Sequence, residues 1–235
     1  MFNDQKVISG FSERKDGTML FALNNREQGF ENQCSYFKIL GLQSEYNFVR
    51  PFICHGNRVE IVNKDNFFDD KVIRNTDGFV TKDKKIVLTV TAADCLPVYF
   101  YDEVAGVIGL AHAGWRGVVG EIVINTVKKM QELGSKPENI KVFVGPHLQK
   151  HHFNFKADIL NNFLKYKDLV EVVDAKNYQI ALGEIVQRQL ESAGVQKENI
   201  KISSECTFCN SEKYFSYRRD KSNPVEVMVG WVVLK

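Results

Sequence analysis

The chain has 235 residues, of which 44% are hydrophobic and 26% charged. That length and balance suit a globular protein with a sizeable core and exclude a disordered chain. The formal net charge is only +2, and the basic residues are spread along the chain, so there is no concentrated basic face and nucleic acid is excluded as the main partner.

In chain order, Met1–Lys6 lacks the basic start and apolar run of a secretory leader. Glu31–Leu40 reads as a helix of modest periodicity. Arg58–Val62, Lys85–Thr91, Pro97–Tyr101 and Gly106–Ala111 are rich in β-branched and aromatic residues and read as strands. Val118–Leu133 carries apolar residues at three- and four-residue intervals and predicts a helix stopped by Gly134. Ile140–Val144 is a strand, Ala157–Leu164 a weaker helix, and Gly183–Ala193 a helix whose pattern begins near Tyr178. Val225–Leu234 closes the chain as a strand. No window approaches the roughly 18 consecutive apolar residues of a membrane span. Five cysteines without framework spacing fit a reducing compartment, so a cytoplasmic location is expected. No Pro/Gly/Ser-rich linker interrupts the chain, which predicts one domain over residues 1–235. Strands and helices follow each other without regular alternation, so an α+β fold with mixed sheets is expected rather than a doubly wound parallel sheet.

One internal echo stands out. Gly134-Ser-Lys-Pro-Glu-Asn-Ile-Lys141 matches Gly194-Val-Gln-Lys-Glu-Asn-Ile-Lys201. Each copy follows an amphipathic helix, precedes a strand, and leads to a loop of chemically capable residues: Gly145-Pro146-His147 in one case, Cys206-Thr207-Phe208-Cys209 in the other. Helix–turn–strand junctions reuse Pro, Glu and Asn, so the echo is either that reuse or an internal duplication.

Three segments put a metal-ligand type at a strand edge: Cys54-His55-Gly56, Asp94-Cys95-Leu96-Pro97 and Ala111-His112-Ala113-Gly114. Singly, such a His is ordinarily a surface or hydrogen-bonded residue and such a Cys a small core residue. Their separation is too long for a zinc finger, so tertiary structure would have to gather them, as in catalytic sites. Gly56, Gly114 and Gly117 beside the histidines offer a close backbone approach or a positive φ. A His₂Cys set leaves one coordination position open, as catalytic zinc requires.

Asp94-Cys95-Leu96-Pro97-Val98 together with His112-Ala113-Gly114-Trp115-Arg116-Gly117 resembles the laccase-domain, or YfiH-type, family. His55-Gly56-Asn57-Arg58-Val59, Val144-Gly145-Pro146, Cys206-Thr207-Phe208-Cys209 and Phe215-Ser216-Tyr217-Arg218-Arg219 extend the likeness from about residue 9 to the C-terminus. The resemblance implies a layered α/β/β/α arrangement with possible duplication, and zinc ligands at His55, Cys95 and His112. It also implies phosphorolysis of adenosine, inosine, guanosine and methylthioadenosine, with hydrolytic deamination of adenosine. The chain departs from the family pattern at Gln149-Lys150-His151-His152, where a Gly-Pro-Cys-Cys run is common, at His147, and at Ile53-Cys54. A second metal site is thereby left open, although adjacent His151 and His152 on a strand would face opposite ways.

Phosphorolysis needs a phosphate site, for which Arg116 is the first candidate and Arg58 the second, because a guanidinium matches phosphate oxygens bidentately. Each of these two could equally be a structural ion pair. Arg218 is a further substrate-binding candidate, and because Arg219 is adjacent, one of that pair is expected to point inwards while the other pairs at the surface. Asp94 is either a proton shuttle or a structural carboxylate. The CxxC of Cys206 and Cys209 has no second CxxC to complete a four-cysteine site, which favours a pocket wall or a structural loop. Phe208, Tyr214, Phe215 and Tyr217 are candidates to stack on a purine or to fill core. Three rivals remain. A copper-dependent polyphenol oxidase of the multicopper kind needs more than the five histidines present. An amidase acting on wrongly built peptidoglycan precursors would use the same centre. A binding protein with structural zinc would need a fourth protein ligand such as His147. Oligomeric state is not legible.

Overall fold

Long apolar runs in mid-sequence form strands buried on both faces, the pattern of a sheet covered on each side rather than one that faces water. The computed structural model describes residues 1–3, 5–20, 26–65 and 72–235. The chain passes through β1 (Val7–Phe11), α1 (Arg26–Ile39), β2 (Asn47–Phe52), β3 (Val59–Ile61), β4 (Val72–Arg74), β5 (Gly78–Thr81), β6 (Ile86–Ala92), β7 (Leu96–Asp102) and β8 (Val107–Ala113). It continues through α2 (Trp115–Val119), α3 (Ile122–Glu132), β9 (Ile140–Val144), β10 (Asn154–Lys156), α4 (Ala157–Leu160), β11 (Val170–Val172) and β12 (Asn177–Ile180). The last elements are α5 (Leu182–Ser192), β13 (Ile200–Ile202), α6 (Tyr217–Asp220) and β14 (Met228–Leu234).

These strands form two large mixed sheets, ordered β1-β14-β6-β2-β4 and β13-β9-β7-β8-β5-β3, and a small sheet β10-β12-β11. Period-two alternation assigns each side chain to a layer. On β7, Tyr99 and Tyr101 face the space between the large sheets with Leu88, Ile108, Leu110 and Val232. The alternate residues Leu96, Val98 and Phe100 pack outward against Val123 and Val127 of α3 and Ile185 of α5. On the other sheet, Val87, Val229 and Trp231 turn outward onto Phe37 of α1. The α+β fold is thus layered α/β/β/α. Among the described residues, no helix is long and apolar enough to cross a membrane.

Ile140–Val144 is a strand over the expected residues, and the other mid-chain strands shift by a residue or two. The helices differ more from expectation: the one expected over Glu31–Leu40 begins at Arg26, and the one expected over Ala157–Leu164 ends at Leu160 and passes into a 3₁₀ stretch over Asn161–Leu169. The periodic run Val118–Leu133 is broken into α2 and α3 by Glu121, which sits in the left-handed region at φ 63°. The break follows from what docks there: Asn57 donates to Gly120 O at 2.6 Å, and a Cβ on Gly117 would stand 2.6 Å from Gly56 O. The backbone carrying His55 occupies the groove that a straight helix would fill. Tyr178 lies in β12 rather than in a helix, paired with Phe155 and Val172 of the small sheet.

The echo extends to conformation. Gly134 and Gly194 both end their helices with positive φ, 100° and 92°. Each junction then runs through a single 3₁₀ turn, Pro137–Asn139 or Lys197–Asn199, into β9 or β13. The two strands lie side by side in parallel, with Ile200 opposite Val142. The next residues meet in a bridge between His147 and Cys206.

Tyr99 ties the two large sheets together. Its fully buried hydroxyl donates to Gly10 O of β1 at 2.9 Å. Gly230 makes room for it, since a Cβ there would lie 2.7 Å from the phenol oxygen. Burial pushes the phenol well above its ordinary pKa, so it remains a donor. Tyr99→Phe should therefore lower stability by about 1 kcal/mol, read from urea unfolding with an unchanged m-value. No loss would mean that the bond contributes nothing net.

Candidate active site

His55 follows β2, Cys95 stands just before β7, and His112 lies in β8. Because β7 and β8 are antiparallel neighbours with Pro97 opposite His112, Cys95 and His112 come to the same end of the pair. The ligating atoms of His55, Cys95 and His112 lie within 4.8 Å of one another. The two imidazoles meet edge to face, with centroids 4.9 Å apart. His112 is buried, Cys95 half-buried and His55 exposed, so the cluster opens towards solvent on one side.

Asp77, which the sequence reading passed over, organises this cluster. Its carboxylate accepts from the backbone N–H of His55 at 2.8 Å and of Gly56 at 2.9 Å, and from the Cys54 thiol at 2.9 Å. It also takes His112 Nδ1 at 3.1 Å, while the Asp77 carbonyl accepts from His112 N at 2.7 Å. Burial alone would raise the Asp77 pKa, but hydrogen bonds from His112, Cys54 and Gly56 outweigh it and hold the carboxyl at about 2. With Nδ1 engaged, Nε2 of His112 is the nitrogen left for a metal, the orientation that outer carboxylates impose on ligating histidines. Cys54, a departure from the family pattern, adds a donor to this carboxylate.

The donor set fits a borderline metal such as zinc. Burial alone would raise the Cys95 thiol, but the neighbouring charge of His112 and its hydrogen bonds pull it down to about 6. Thiolate character at Cys95 is thus favoured, the form in which cysteine ligates metals. The surrounding backbone leaves room as well. A Cβ on Gly114 would stand 3.1 Å from His55 Cδ2 and 3.2 Å from Cys95 Sγ, so glycine there keeps the space between ligands clear. The positive φ expected at Gly56 falls instead on His55 itself, at 60°, and on Asp94, at 89°.

The cluster forms the floor of a cleft of about 640 Å³. Its walls are largely apolar, with Phe52, Trp115, Leu148, Phe153 and Tyr217 among them, and Arg50, Arg116 and Arg218 also line it. Arg116 is exposed, stacks on the Trp115 ring at 4.3 Å, and makes no ion pair among the described residues. Arg218 is anchored by Nη1 to the Asn154 carbonyl at 2.8 Å. Arg58 departs from expectation. It is exposed, pairs with Glu60 on β3, and is absent from the cleft. One residue displacement explains it: Arg58 opens the run into β3, whose side chains leave the His55 loop behind. Arg50, buried and bonded to Gln33 at 2.9 Å, was not legible, because it sits within a strand that the sequence did not announce.

Other candidates find different places. The Asp94 carboxylate accepts from Thr207 Oγ1 and from Arg218 N, both at 2.7 Å, and lines the cleft beside Cys95. His147 is buried, with Nδ1 on Gly145 O at 2.8 Å and Nε2 facing Gln149 at 3.2 Å, so it is no fourth ligand to the cluster. Lys150–His152 is a 3₁₀ turn and not a strand, so His151 and His152 do not face opposite ways: both approach the loop at Cys206–Cys209. That loop does not wall the cleft. Of the four aromatic candidates only Tyr217 lines it. Tyr214 and Phe215 pack in the core with Phe11, and Phe208 stacks on His152.

The family model for multi-copper polyphenol oxidoreductase laccase matches residues 21–235, and the chain belongs to that family. It is 37% identical over 185 residues to a purine nucleoside phosphorylase of Staphylococcus epidermidis, covering 74% of this chain and 68% of that one. It is 32% identical to the purine nucleoside phosphorylase YlmD of Bacillus subtilis, covering 96% of this chain and 88% of the relative. Among solved structures, the hypothetical protein YfiH of Bacillus licheniformis superposes with a TM-score of 0.89 at 27% identity, over 97% of this chain and 93% of that one.

Because Asp77 fixes both the His55 loop and the His112 ring, Asp77→Asn should weaken metal retention by roughly 10- to 100-fold. Competition against a chromophoric chelator would measure it, with a thermal melt to show that the fold survives. Unchanged retention in a folded variant would remove Asp77 from this role.

Proposed function

We propose that the chain is a zinc-dependent purine nucleoside phosphorylase acting on adenosine, inosine, guanosine and methylthioadenosine, with adenosine deamination as a second activity. Residues 1–235 would form one catalytic unit working in the cytoplasm. The observation that carries this reading is the convergence of His55, Cys95 and His112 at the floor of an apolar cleft that also presents Arg116. The names of the relatives from Staphylococcus and Bacillus supply the reaction class.

In phosphorolysis a phosphate oxygen bonds to the ribose anomeric carbon as the bond to the purine nitrogen breaks. The products are ribose 1-phosphate and the purine, which takes up a proton. Zinc held by His55, Cys95 and His112 would supply a Lewis acid at the cleft floor. Arg116 would bind the phosphate, its planar fork held in orientation by Trp115. Phe52, Trp115 and Tyr217 would take the flat purine, since aromatic faces bury large apolar area with defined geometry. Arg218, held by Asn154, would bound the other end of the cleft. Asp77 acts through His55 and His112 by orienting them. Deamination of adenosine would exchange its amino group for oxygen from water, giving inosine and ammonia at the same floor.

A copper oxidase, which the family description suggests, finds less support. Of the five histidines, only His55 and His112 reach the cleft cluster, and multicopper chemistry calls for a larger imidazole set.

The test is release of hypoxanthine from inosine with and without phosphate. Cys95→Ser and His112→Ala should abolish phosphate-dependent turnover, as should chelation, with zinc restoring the wild type. Arg116→Ala should raise the KM for phosphate about tenfold or more, the size expected for a lost charged hydrogen bond, whereas Arg58→Ala should leave it unchanged. Metal-loaded protein that turns over no nucleoside under any phosphate concentration would refute the proposal and favour the cell-wall amidase.

A further inference from the structure

The fold assembles a second cluster of soft donors, away from the cleft. His151 Nε2 lies 3.2 Å from Cys209 Sγ, and the ligating atoms of His151, Cys206 and Cys209 all fall within 4.8 Å of one another. A tetrahedral zinc ion, with Zn–S of about 2.3 Å and Zn–N of about 2.0–2.1 Å, holds its ligand atoms roughly 3.5–3.8 Å apart. The cluster brackets that spacing. Cys206 is buried, while His151 and Cys209 are exposed, so an ion has a route in and water has access to a fourth position.

The scaffold around these donors is built from long-range contacts. Thr207 N donates to His147 O at 3.2 Å, which fixes the start of the loop against the strand-like segment leading to His151. Asn210 closes the turn on the Cys206 carbonyl through its backbone at 3.1 Å and its side chain at 2.9 Å. Arg219 Nη1 donates to the carbonyls of Thr207 at 2.9 Å and Phe208 at 2.7 Å, holding the two residues between the cysteines. His152 stacks on Phe208 with centroids 3.9 Å apart, which sets the 3₁₀ turn that presents His151. A Cys-x-x-Cys turn is the usual chelating unit of structural zinc. Here the missing partner is not a second such turn but a histidine brought from more than fifty residues upstream.

We propose that His151, Cys206 and Cys209 bind a second zinc ion, with water in the fourth position, that clamps the Cys206–Cys209 turn to the Lys150–His152 turn. The ion joins the two turns and takes no part in the nucleoside reaction. Through Thr207, which hydrogen-bonds Asp94, and through Arg218, whose Nη1 contacts the carbonyls of His152 and Asn154, the clamp steadies one wall of the cleft. The site stands or falls independently of the nucleoside reaction.

Anaerobically purified protein should carry two zinc equivalents per chain by elemental analysis and native mass spectrometry. Cys95→Ser should retain one, Cys209→Ala and His151→Ala should each retain one, and Cys95→Ser/Cys209→Ala none. Cobalt loaded into Cys95→Ser should give a thiolate charge-transfer band, lost in the double variant. Adding zinc to metal-free Cys95→Ser should raise its Tm by several degrees but leave the double variant unmoved. Because Cys209 is exposed, its alanine variant should fold. A single equivalent in the wild type that disappears entirely in Cys95→Ser would overturn the proposal. So would a Cys206–Cys209 disulfide in protein kept under reducing conditions.

Discussion

The candidate site depends on one carboxylate. Asp77 gathers the backbone N–H groups around His55 and the ring of His112, and so joins a loop from one strand to a side chain on another. A buried carboxylate is costly unless its lone pairs are filled. Here they are filled by the very groups whose positions the cluster requires. The requirement runs both ways: the donors satisfy the charge, and the charge fixes the donors. The left-handed conformation of His55, φ 60°, disfavoured for a side-chain-bearing residue, is sustained by these bonds on either side of it.

The layered fold gives that carboxylate its setting. β5, which Asp77 immediately precedes, pairs with β8 so that Gly78 lies opposite Ala111. The carboxylate therefore arrives beside His112 by strand register alone. The break between α2 and α3 then admits Gly56 and Asn57 against Gly117 and Gly120. Small residues at 114, 117 and 120 are less a flexible segment than a set of vacated volumes into which the first ligand loop is seated.

The sequence was informative where local pattern and final environment agree. The mid-chain strands are doubly buried and read as continuous apolar runs, and the two amphipathic helices that cover the outer face kept their periodicity. His55, Cys95 and His112 were legible because each stands beside glycine or proline at a strand end. Asp77 was not: Asp-Gly reads as a turn, and its role exists only once distant N–H groups converge on it. Arg58 was over-read for its nearness to His55 in sequence, which strand geometry undoes within three residues. The expectation that His151 and His152 face opposite ways failed because strand alternation was applied to a 3₁₀ turn, whose adjacent side chains are not opposed. Cys206 and Cys209 looked incomplete because the histidine that approaches them is distant in sequence.

Arg58 and its partner bear on a different matter, the behaviour of this protein among copies of itself. A six-stranded sheet ends in two rows of unsatisfied backbone groups that invite pairing with another chain. Among the described residues those ends are β13 and β3, each three residues long. Exposed Lys201 marks one, and the Arg58–Glu60 pair marks the other. Short edges that carry charge offer a poor template for a foreign strand. The strongly apolar interior strands can then be stacked as deeply as they are without the folded sheet offering another chain a ready template at its ends.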